Sequence, residues 1–165
     1  TGDDNAFTKL YYASYKQLYG FLLSLTKNKE DAEDLLQDTY IKIRNGSQLY
    51  KKQGTPMTWM CAIAKNQYLD FVRKYGKNRS VDFGEVENYI SEGMEESRDD
   101  TKKVENKMLL ETAFGILGEE EITIVVLHMI NGLKHREIAE LTGLTLSTVL
   151  SKYNRSLKKM KSIIE

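Results

Sequence analysis

The chain has one cysteine and one proline among its 165 residues. A single cysteine, Cys61, excludes an internal disulfide bond and a cysteine-based metal cluster. The scarcity of proline disfavours turn-rich sandwiches and barrels, so an all-α fold is predicted. No apolar stretch approaches the length of a membrane span, and no secretory signal opens the chain. These absences together predict a cytoplasmic protein in a reducing compartment, without membrane insertion of its own.

Residues suited to catalysis are also few. The two histidines, His128 and His135, stand in no metal-ligand motif, and the sequence has no glycine-rich phosphate loop. Cys61 lies within an amphipathic segment, where a small buried apolar role is favoured over that of a nucleophile. We therefore predict a protein that is not an enzyme, with no catalytic residue, no metal and no cofactor.

The charges balance, with 24 basic and 24 acidic residues, but they are unevenly distributed. Residues 56–80 carry five basic and one acidic group, and residues 132–165 carry seven and three. Between these blocks, residues 81–107 carry four basic and nine acidic groups. The basic blocks indicate either solvated helix faces or nucleic-acid-binding surfaces, and the motifs inside them must decide between the two.

The N-terminal half is predicted to form three amphipathic helices. Apolar residues recur at helical spacing over 7–25, 28–44 and 55–75. Asn28 and Thr55 suit the caps of the second and third helices, and the only proline follows Thr55 at the first helical position. Three helices of this length can bury a shared core.

A stretch without apolar periodicity comes next. Residues 76–100 hold three glycines, several polar residues and many acids, which predict a flexible tether. Beyond it, an apolar stripe runs from Leu109 to Leu117, and a helix is predicted from Gly118, with Ile122, Val126, Met129 and Ile130 on its buried face. The fold prediction is two small helical domains, 1–79 and 105–165, joined by a flexible acidic linker over 80–104.

The strongest motif is a helix-turn-helix at 134–161. A short helix, a turn at Gly143 and a second helix capped by Thr145 have the spacing of this motif. The small Ala139 lets the two helices approach each other, and Val149 locks the second helix onto the first. The predicted buried stripe of the second helix is Val149, Tyr153, Leu157, Met160 and Ile164.

The remaining side of the second helix carries hydroxyls near its N-terminus and cations further along. Such a surface suits the major groove of DNA, because hydroxyls contact phosphates or bases while cations contact phosphates or guanine edges. An ordinary helical hairpin with a solvated basic face stays an alternative. The candidate DNA-binding residues are Thr145, Ser147, Thr148, Leu150, Ser151, Lys152, Arg155, Lys158 and Lys159.

A second motif lies in the helix predicted over 55–75 and in the residues that follow it. Aromatic side chains interleave with amides and cations, which suits single-stranded or distorted nucleic acid, where a base can be stacked or captured. Taken alone this motif is weak, because a tryptophan is more often a core residue than a stacking platform. Its candidate DNA-binding residues are Trp59, Lys65, Asn66, Tyr68, Asp70, Arg73, Lys74, Lys77 and Arg79.

A third motif is the polar side of the second predicted helix. Asp34, Gln37 and Asp38, with Lys42, lie away from the apolar face formed by Ala32, Leu36, Thr39 and Ile43. Such residues are usually no more than solvent-exposed. The functional alternative is a docking face for a protein partner.

In this order, the three motifs resemble the extracytoplasmic-function sigma factors, which lend promoter specificity to bacterial RNA polymerase. The resemblance covers residues 6–163 and is most specific at 34–42, at 58–73 and in the helix-turn-helix. It implies that the N-terminal domain corresponds to family region two and the C-terminal domain to region four.

The resemblance also implies partners and sites. Asp34, Gln37, Asp38 and Lys42 fall where region two docks on the clamp helices of the largest polymerase subunit. Asn66 falls where the family presents a polar residue near a flipped non-template base of the minus-ten promoter element. Region four would read the minus-thirty-five element of promoter DNA and touch the flap of the second-largest subunit. An anti-sigma factor is a further expected partner.

The sequence departs from the family pattern in the second helix of the helix-turn-helix, where Ser156 and Leu157 stand in a stretch that is often rich in arginine. Leu150 stands where the family commonly has arginine or lysine, and Ser147 replaces a common glycine. Leu150 suits either a thymine methyl group or a partner surface, so the promoter sequence does not carry over from typical members. Two other hypotheses stay open: a helix-turn-helix regulator acting without polymerase, and a sigma mimic that sequesters an anti-sigma factor.

Overall fold

The computed structural model describes residues 4–51, 54–76 and 115–164, and it divides into two compact units, Thr1–Val81 and Asp82–Glu165. Within the described residues the secondary structure consists of six α-helices and a short 3-10 helix, without strands. The predicted all-α, two-domain architecture is therefore confirmed. The predicted linker over 80–104 and the apolar stripe at 109–114 lie outside the described residues.

The N-terminal unit is a bundle of three helices that all pack against one another. Local sequence explains where the second and third helices begin. The Asn28 side chain accepts a hydrogen bond from the Asp31 N–H at 3.0 Å, and the Thr55 hydroxyl accepts one from the Thr58 N–H at 3.4 Å. The elements of this unit are α1 (Asp4–Thr26), α2 (Lys29–Gly46), a 3-10 turn (Ser47–Leu49) and α3 (Pro56–Tyr75).

The core of this unit lies between the three helices. The predicted apolar face of α2 is buried, and Thr39 within it satisfies its hydroxyl by donating to the Leu35 carbonyl at 2.6 Å. Cys61 is also buried, as predicted. Each fully buried large aliphatic side chain contributes about 2 kcal/mol. Burial of this face fixes the opposite side of α2 toward solvent.

The C-terminal unit contains α4 (Glu119–Met129), α5 (His135–Thr142) and α6 (Leu146–Ile164). The β-branched run in α4 is helical, as predicted, and the Glu121 carboxylate caps it by accepting the Gly118 N–H at 3.0 Å. Gly143 has φ +73°, the left-handed conformation that glycine adopts without strain, and its N–H donates to the Ala139 carbonyl at 3.0 Å. The predicted helix-turn-helix is thus present, with Ala139 and Val149 buried at its centre.

Two predicted core residues of this unit are exposed instead. Leu157 faces solvent, whereas Ser156 is fully buried and donates its hydroxyl to the Lys152 carbonyl at 2.8 Å. At about 100° per residue, Leu157 lies eight residues after Val149 and points about 80° away from it around the helix. Ser156 lies seven residues after Val149 and points within about 20° of it, so Ser156 shares the buried side. Met129, the last residue of α4, is 55% exposed.

The side chain of Ile164, the last predicted core residue of α6, lies outside the described side chains. In the described parts of the chain, no helix has the length and apolarity needed to cross a bilayer.

Candidate nucleic-acid interface

A groove of about 280 Å³ lies between the C-terminal end of α2 and the outer side of α3. It brings together two residues predicted from the second sequence motif, Trp59 and Asn66. It also includes Lys42, which the sequence placed in the third motif, and the buried Gln67 amide, which sequence reasoning missed. The lining residues are Lys42, Gly46, Leu49, Trp59, Ile63, Asn66 and Gln67.

Trp59 lies between the groove and the interior of the N-terminal unit. On one side it borders the groove, and on the other it borders a separate apolar cavity of about 270 Å³ shared with Phe7 and Met60. Its ring packs against Tyr50, with ring centroids 5.2 Å apart. The indole therefore forms a wall of the groove and is supported by its ring contact with Tyr50.

The other candidates on α3 are divided between different surfaces. Asp70 and Arg73 form an exposed ion pair at 3.3 Å, one and two turns beyond Asn66. Tyr68 borders a separate small cleft with residues of α1 and α2, so the structure does not bring it to the groove. Lys65 is half-buried, and the Lys74 ammonium lies 5.1 Å from the centre of the Tyr75 ring.

Two predicted DNA-binding residues of this motif, Lys77 and Arg79, lie outside the described residues.

The polar side of α2 is exposed, and it contains an apolar residue that sequence reasoning missed. Asp34, Gln37 and Asp38 face solvent, as predicted. Ile41 lies among them and is 59% exposed. An isoleucine opposite a helix's buried face was visible in the sequence as a break in the polar pattern.

At the start of α6, the Thr145 hydroxyl accepts the Thr148 N–H at 3.2 Å, so Thr145 is the predicted cap. Its hydroxyl also lies 2.8 Å from the Thr148 hydroxyl and 3.2 Å from that of Ser147. Thr148 itself is half-buried. The exposed candidates on α6 are Ser147, Leu150, Ser151, Arg155 and Lys158.

The four predicted DNA-binding cations of α6 fall into two pairs. Lys152 and Lys159 turn toward α4, where their ammonium groups lie 2.8 Å from Glu120 and 2.9 Å from Glu121. Arg155 and Lys158 instead face solvent. The outward cationic surface of α6 is therefore smaller than its sequence indicates.

Glu121 is the most buried partner in these ion pairs. Burial by itself raises the pKa of the Glu121 carboxyl. The hydrogen bonds from Lys159 and from the Gly118 N–H, together with the charges of Lys159 and Arg155, outweigh that effect and hold the pKa below its usual value. Glu121 is therefore an ionised group that links α4 to α6.

The two histidines lie together at the junction of the three C-terminal helices. The rings of His128 and His135 stack with their centroids 4.2 Å apart, and Tyr153 packs edge-on against both. The Nδ1 atom of His128 lies 2.8 Å from the Leu133 carbonyl oxygen. Burial and the neighbouring His128 lower the pKa of His135. Among the residues that the structure describes, no group of three or more His, Cys, Asp or Glu side chains could hold a metal ion.

The fold and these surfaces define a class: a two-domain helical protein with a helix-turn-helix in one domain and an aromatic and amide-lined groove in the other. Comparison with known families agrees with this class. The Sigma-70 region 2 family matches residues 10–78, and the Sigma-70 region 4 family matches residues 107–160.

Individual relatives extend the comparison over most of the chain. The RNA polymerase sigma factor SigV of Bacillus subtilis (strain 168) is 31% identical over 146 residues, which cover 88% of this chain and 83% of the relative. The ECF RNA polymerase sigma factor SigX of the same organism is 24% identical over 176 residues, covering 98% and 85%.

Two solved structures share the fold. The sigma factor RpoE from Bartonella quintana, in complex with the anti-sigma factor NepR, has a TM-score of 0.68 at 19% identity and covers 96% of each chain. CnrH, in complex with the cytosolic domain of CnrY, has a TM-score of 0.63 at 18% identity and covers 99% of this chain and 90% of its own.

The chain belongs to the extracytoplasmic-function sigma factors. It is a transcription initiation factor that directs bacterial RNA polymerase to promoter DNA. The match to region 2 sets aside the hypothesis of a helix-turn-helix regulator that acts without polymerase.

Proposed function

We propose that the two domains divide promoter recognition: the groove beside α3 captures a base of the melted minus-ten element, and α6 reads the minus-thirty-five element as duplex. The observation that carries this proposal is the presence of Trp59 and Asn66 on one groove. The groove has a volume of about 280 Å³.

The groove has the chemistry that base capture needs. The Trp59 indole offers a face for stacking, a contact that contributes about 1–3 kcal/mol per base in single-strand binding. The amide of Asn66 can donate and accept hydrogen bonds at a base edge, and so can that of Gln67. Asp70 and Arg73 extend the surface along α3 beyond the groove. Lys65, Tyr68, Lys74, Lys77 and Arg79 stay predicted contacts of the same element.

In the C-terminal domain, we assign the duplex contacts to the exposed side of α6. Ser147, Ser151 and the helix N-terminus suit phosphates, while Arg155 and Lys158 suit phosphates or guanine edges. Leu150 is an apolar residue on the same helix, and we assign it to a thymine methyl group. Lys152 and Lys159 already hold glutamates of α4, so their proposed role is to support the orientation of α6.

Protein partners take other surfaces. We propose that Asp34, Gln37 and Asp38 dock on the clamp helices of the largest polymerase subunit, and that the C-terminal domain touches the flap of the second-largest subunit. Because these partners are core RNA polymerase and promoter DNA, we propose that the protein acts in the cytoplasm. The complexes of RpoE with NepR and of CnrH with CnrY support an anti-sigma factor that covers the polymerase-binding faces of this chain.

In vitro transcription with purified core RNA polymerase tests the proposal. Promoters are first mapped as start sites that appear on sheared genomic DNA of the source organism only when the chain is present. On one such promoter, Asn66→Ala should lower open-complex formation roughly 5- to 30-fold, because a lost base hydrogen bond costs about 1–2 kcal/mol. Binding to core polymerase should not change.

The matched control is Gln48→Ala, which removes an exposed amide from the neighbouring turn without touching the groove. Gln48→Ala should transcribe like the wild type. Equal activity of Asn66→Ala and the wild type, at equal occupancy of polymerase, would show that the groove does not capture a base.

A further inference from the structure

We propose that two consecutive residues of α2 serve different partners: Ile41 anchors core RNA polymerase, and Lys42 contacts the phosphate backbone of the promoter strand held in the groove. This inference rests on the proposed function of the two surfaces. It adds Ile41 to the docking face and moves Lys42 from that face to the DNA groove.

Helix geometry separates the two side chains. Consecutive residues of an α-helix point about 100° apart. Ile41 lies about 160° from Thr39 and from Ile43, which are both buried, so it projects from the opposite side of α2. Lys42 lies on the flank, where it lines the groove that also contains Asn66.

The surroundings of Ile41 resemble the centre of a protein interface. Gln37 and Asp38 lie one turn before it and Asp34 two turns before it, and all three are exposed. An apolar side chain ringed by polar groups that exclude water is the usual arrangement of a binding hot spot. Asp34 and Asp38 make the N-terminal side of these surroundings acidic, and the exposed Arg44 lies one turn after Ile41. The complementary surface on polymerase is therefore an apolar recess with basic residues facing the two carboxylates.

The surroundings of Lys42 fit a nucleic-acid strand instead. A cation beside an aromatic face and an amide reproduces the combination that single-strand binding uses: charge along the backbone and stacking for the base. Within the described residues Lys42 makes no ion pair, in contrast to Lys152 and Lys159. Its charge is therefore available to a phosphate.

Two variants of the full-length chain separate the roles. Ile41→Ala should weaken binding to core polymerase at least about tenfold. At saturating polymerase, it should leave the affinity of the assembled holoenzyme for a forked promoter probe unchanged. Lys42→Gln should bind core polymerase normally and weaken binding to the same probe. It should also reduce the slope of log affinity against log salt by about 0.7, the value for one contact to a single strand.

Matched controls come from the same domain. Leu69→Ala removes an exposed apolar side chain from α3, and Lys29→Gln removes an exposed lysine from the first turn of α2. Both should behave as the wild type in both assays. Thermal melts of all variants verify that the domain stays folded.

Asp38→Asn and Asn66→Ala report on the underlying functional proposal. If Asp38→Asn weakens polymerase binding and Asn66→Ala weakens promoter binding, the two surfaces are correctly assigned. In that case, the division between Ile41 and Lys42 is wrong if Ile41→Ala has no effect on polymerase binding. It is also wrong if Lys42→Gln weakens polymerase binding and leaves the salt slope unchanged. If Asp38→Asn and Asn66→Ala are themselves silent, the assignment of the surfaces fails, and this inference fails with it.

Discussion

Lys158 and Lys159 are adjacent in α6, yet the structure predicts opposite consequences of removing them. The Lys159 ammonium lies 2.9 Å from a carboxylate oxygen of Glu121, whose side chain is 7% exposed. Lys158 faces solvent. Lys159→Gln should therefore lower stability, whereas Lys158→Gln should lower DNA affinity.

The magnitude follows from the exposure of the pair. Breaking a fully buried ion pair costs about 3–5 kcal/mol, and an exposed pair contributes about 0.2–1 kcal/mol. The Lys159 side chain is 38% exposed, and Glu121 keeps the hydrogen bond from the Gly118 N–H, so the expected loss is about 1–2 kcal/mol. For a domain of this size, that loss lowers the melting temperature by about 4–16 °C.

DNA binding supplies the complementary readout. Each phosphate contact on duplex DNA contributes about 0.9 to the slope of log affinity against log salt. Lys158→Gln should reduce that slope for holoenzyme on a minus-thirty-five duplex by about 0.9 and leave the melting temperature unchanged. Lys159→Gln should leave the slope unchanged and lower the melting temperature, and Glu121→Gln should reproduce its effect.

Circular dichroism during heating measures the melting temperature. Fluorescence anisotropy of labelled DNA at a series of salt concentrations measures the slope of log affinity against log salt on the same protein samples. A reduced salt slope for Lys159→Gln at an unchanged melting temperature would refute the reasoning. That result would mean that Lys159 leaves Glu121 to contact phosphate in the complex.

Three further predictions concern the stability of single elements. Because burial and His128 lower the pKa of His135, the unfolded chain binds more protons. The C-terminal domain should be fully stable above about pH 6.5 and lose stability as the pH falls below it; melts from neutral to acidic pH should show this loss, and His135→Asn should reduce it. Tyr40 has its pKa raised to about 12 by burial, and its hydroxyl lies 2.6 Å from that of Ser14. Tyr40→Phe should cost about 1 kcal/mol in urea unfolding, and a cost near zero would show that this hydrogen bond contributes nothing. Gly143→Ala forces a side chain into the left-handed region and should cost about 1 kcal/mol, measured as a lower urea midpoint at an unchanged slope.

Local sequence by itself determined the helices and their boundaries. Asn28 and Thr55 cap α2 and α3 through contacts within three residues, and Gly143 ends α5 through its own backbone freedom. Interactions over such short spans depend on neighbours that the sequence displays directly. The motifs that identify the family are local in the same sense, so the class of protein and its two-domain organisation were predictable.

The roles of individual side chains depended on tertiary structure. Lys158 and Lys159 are indistinguishable by residue type, and their separation follows from Glu121, 38 residues earlier in the chain. Lys42 joins Trp59 and Asn66 only because α2 packs against α3. Ser156 replaces Leu157 in the core because α4 and α5 determine which stripe of α6 they cover. Helical periodicity defines the angle between residues on one helix, but the neighbouring helices decide which residues are buried and which face solvent.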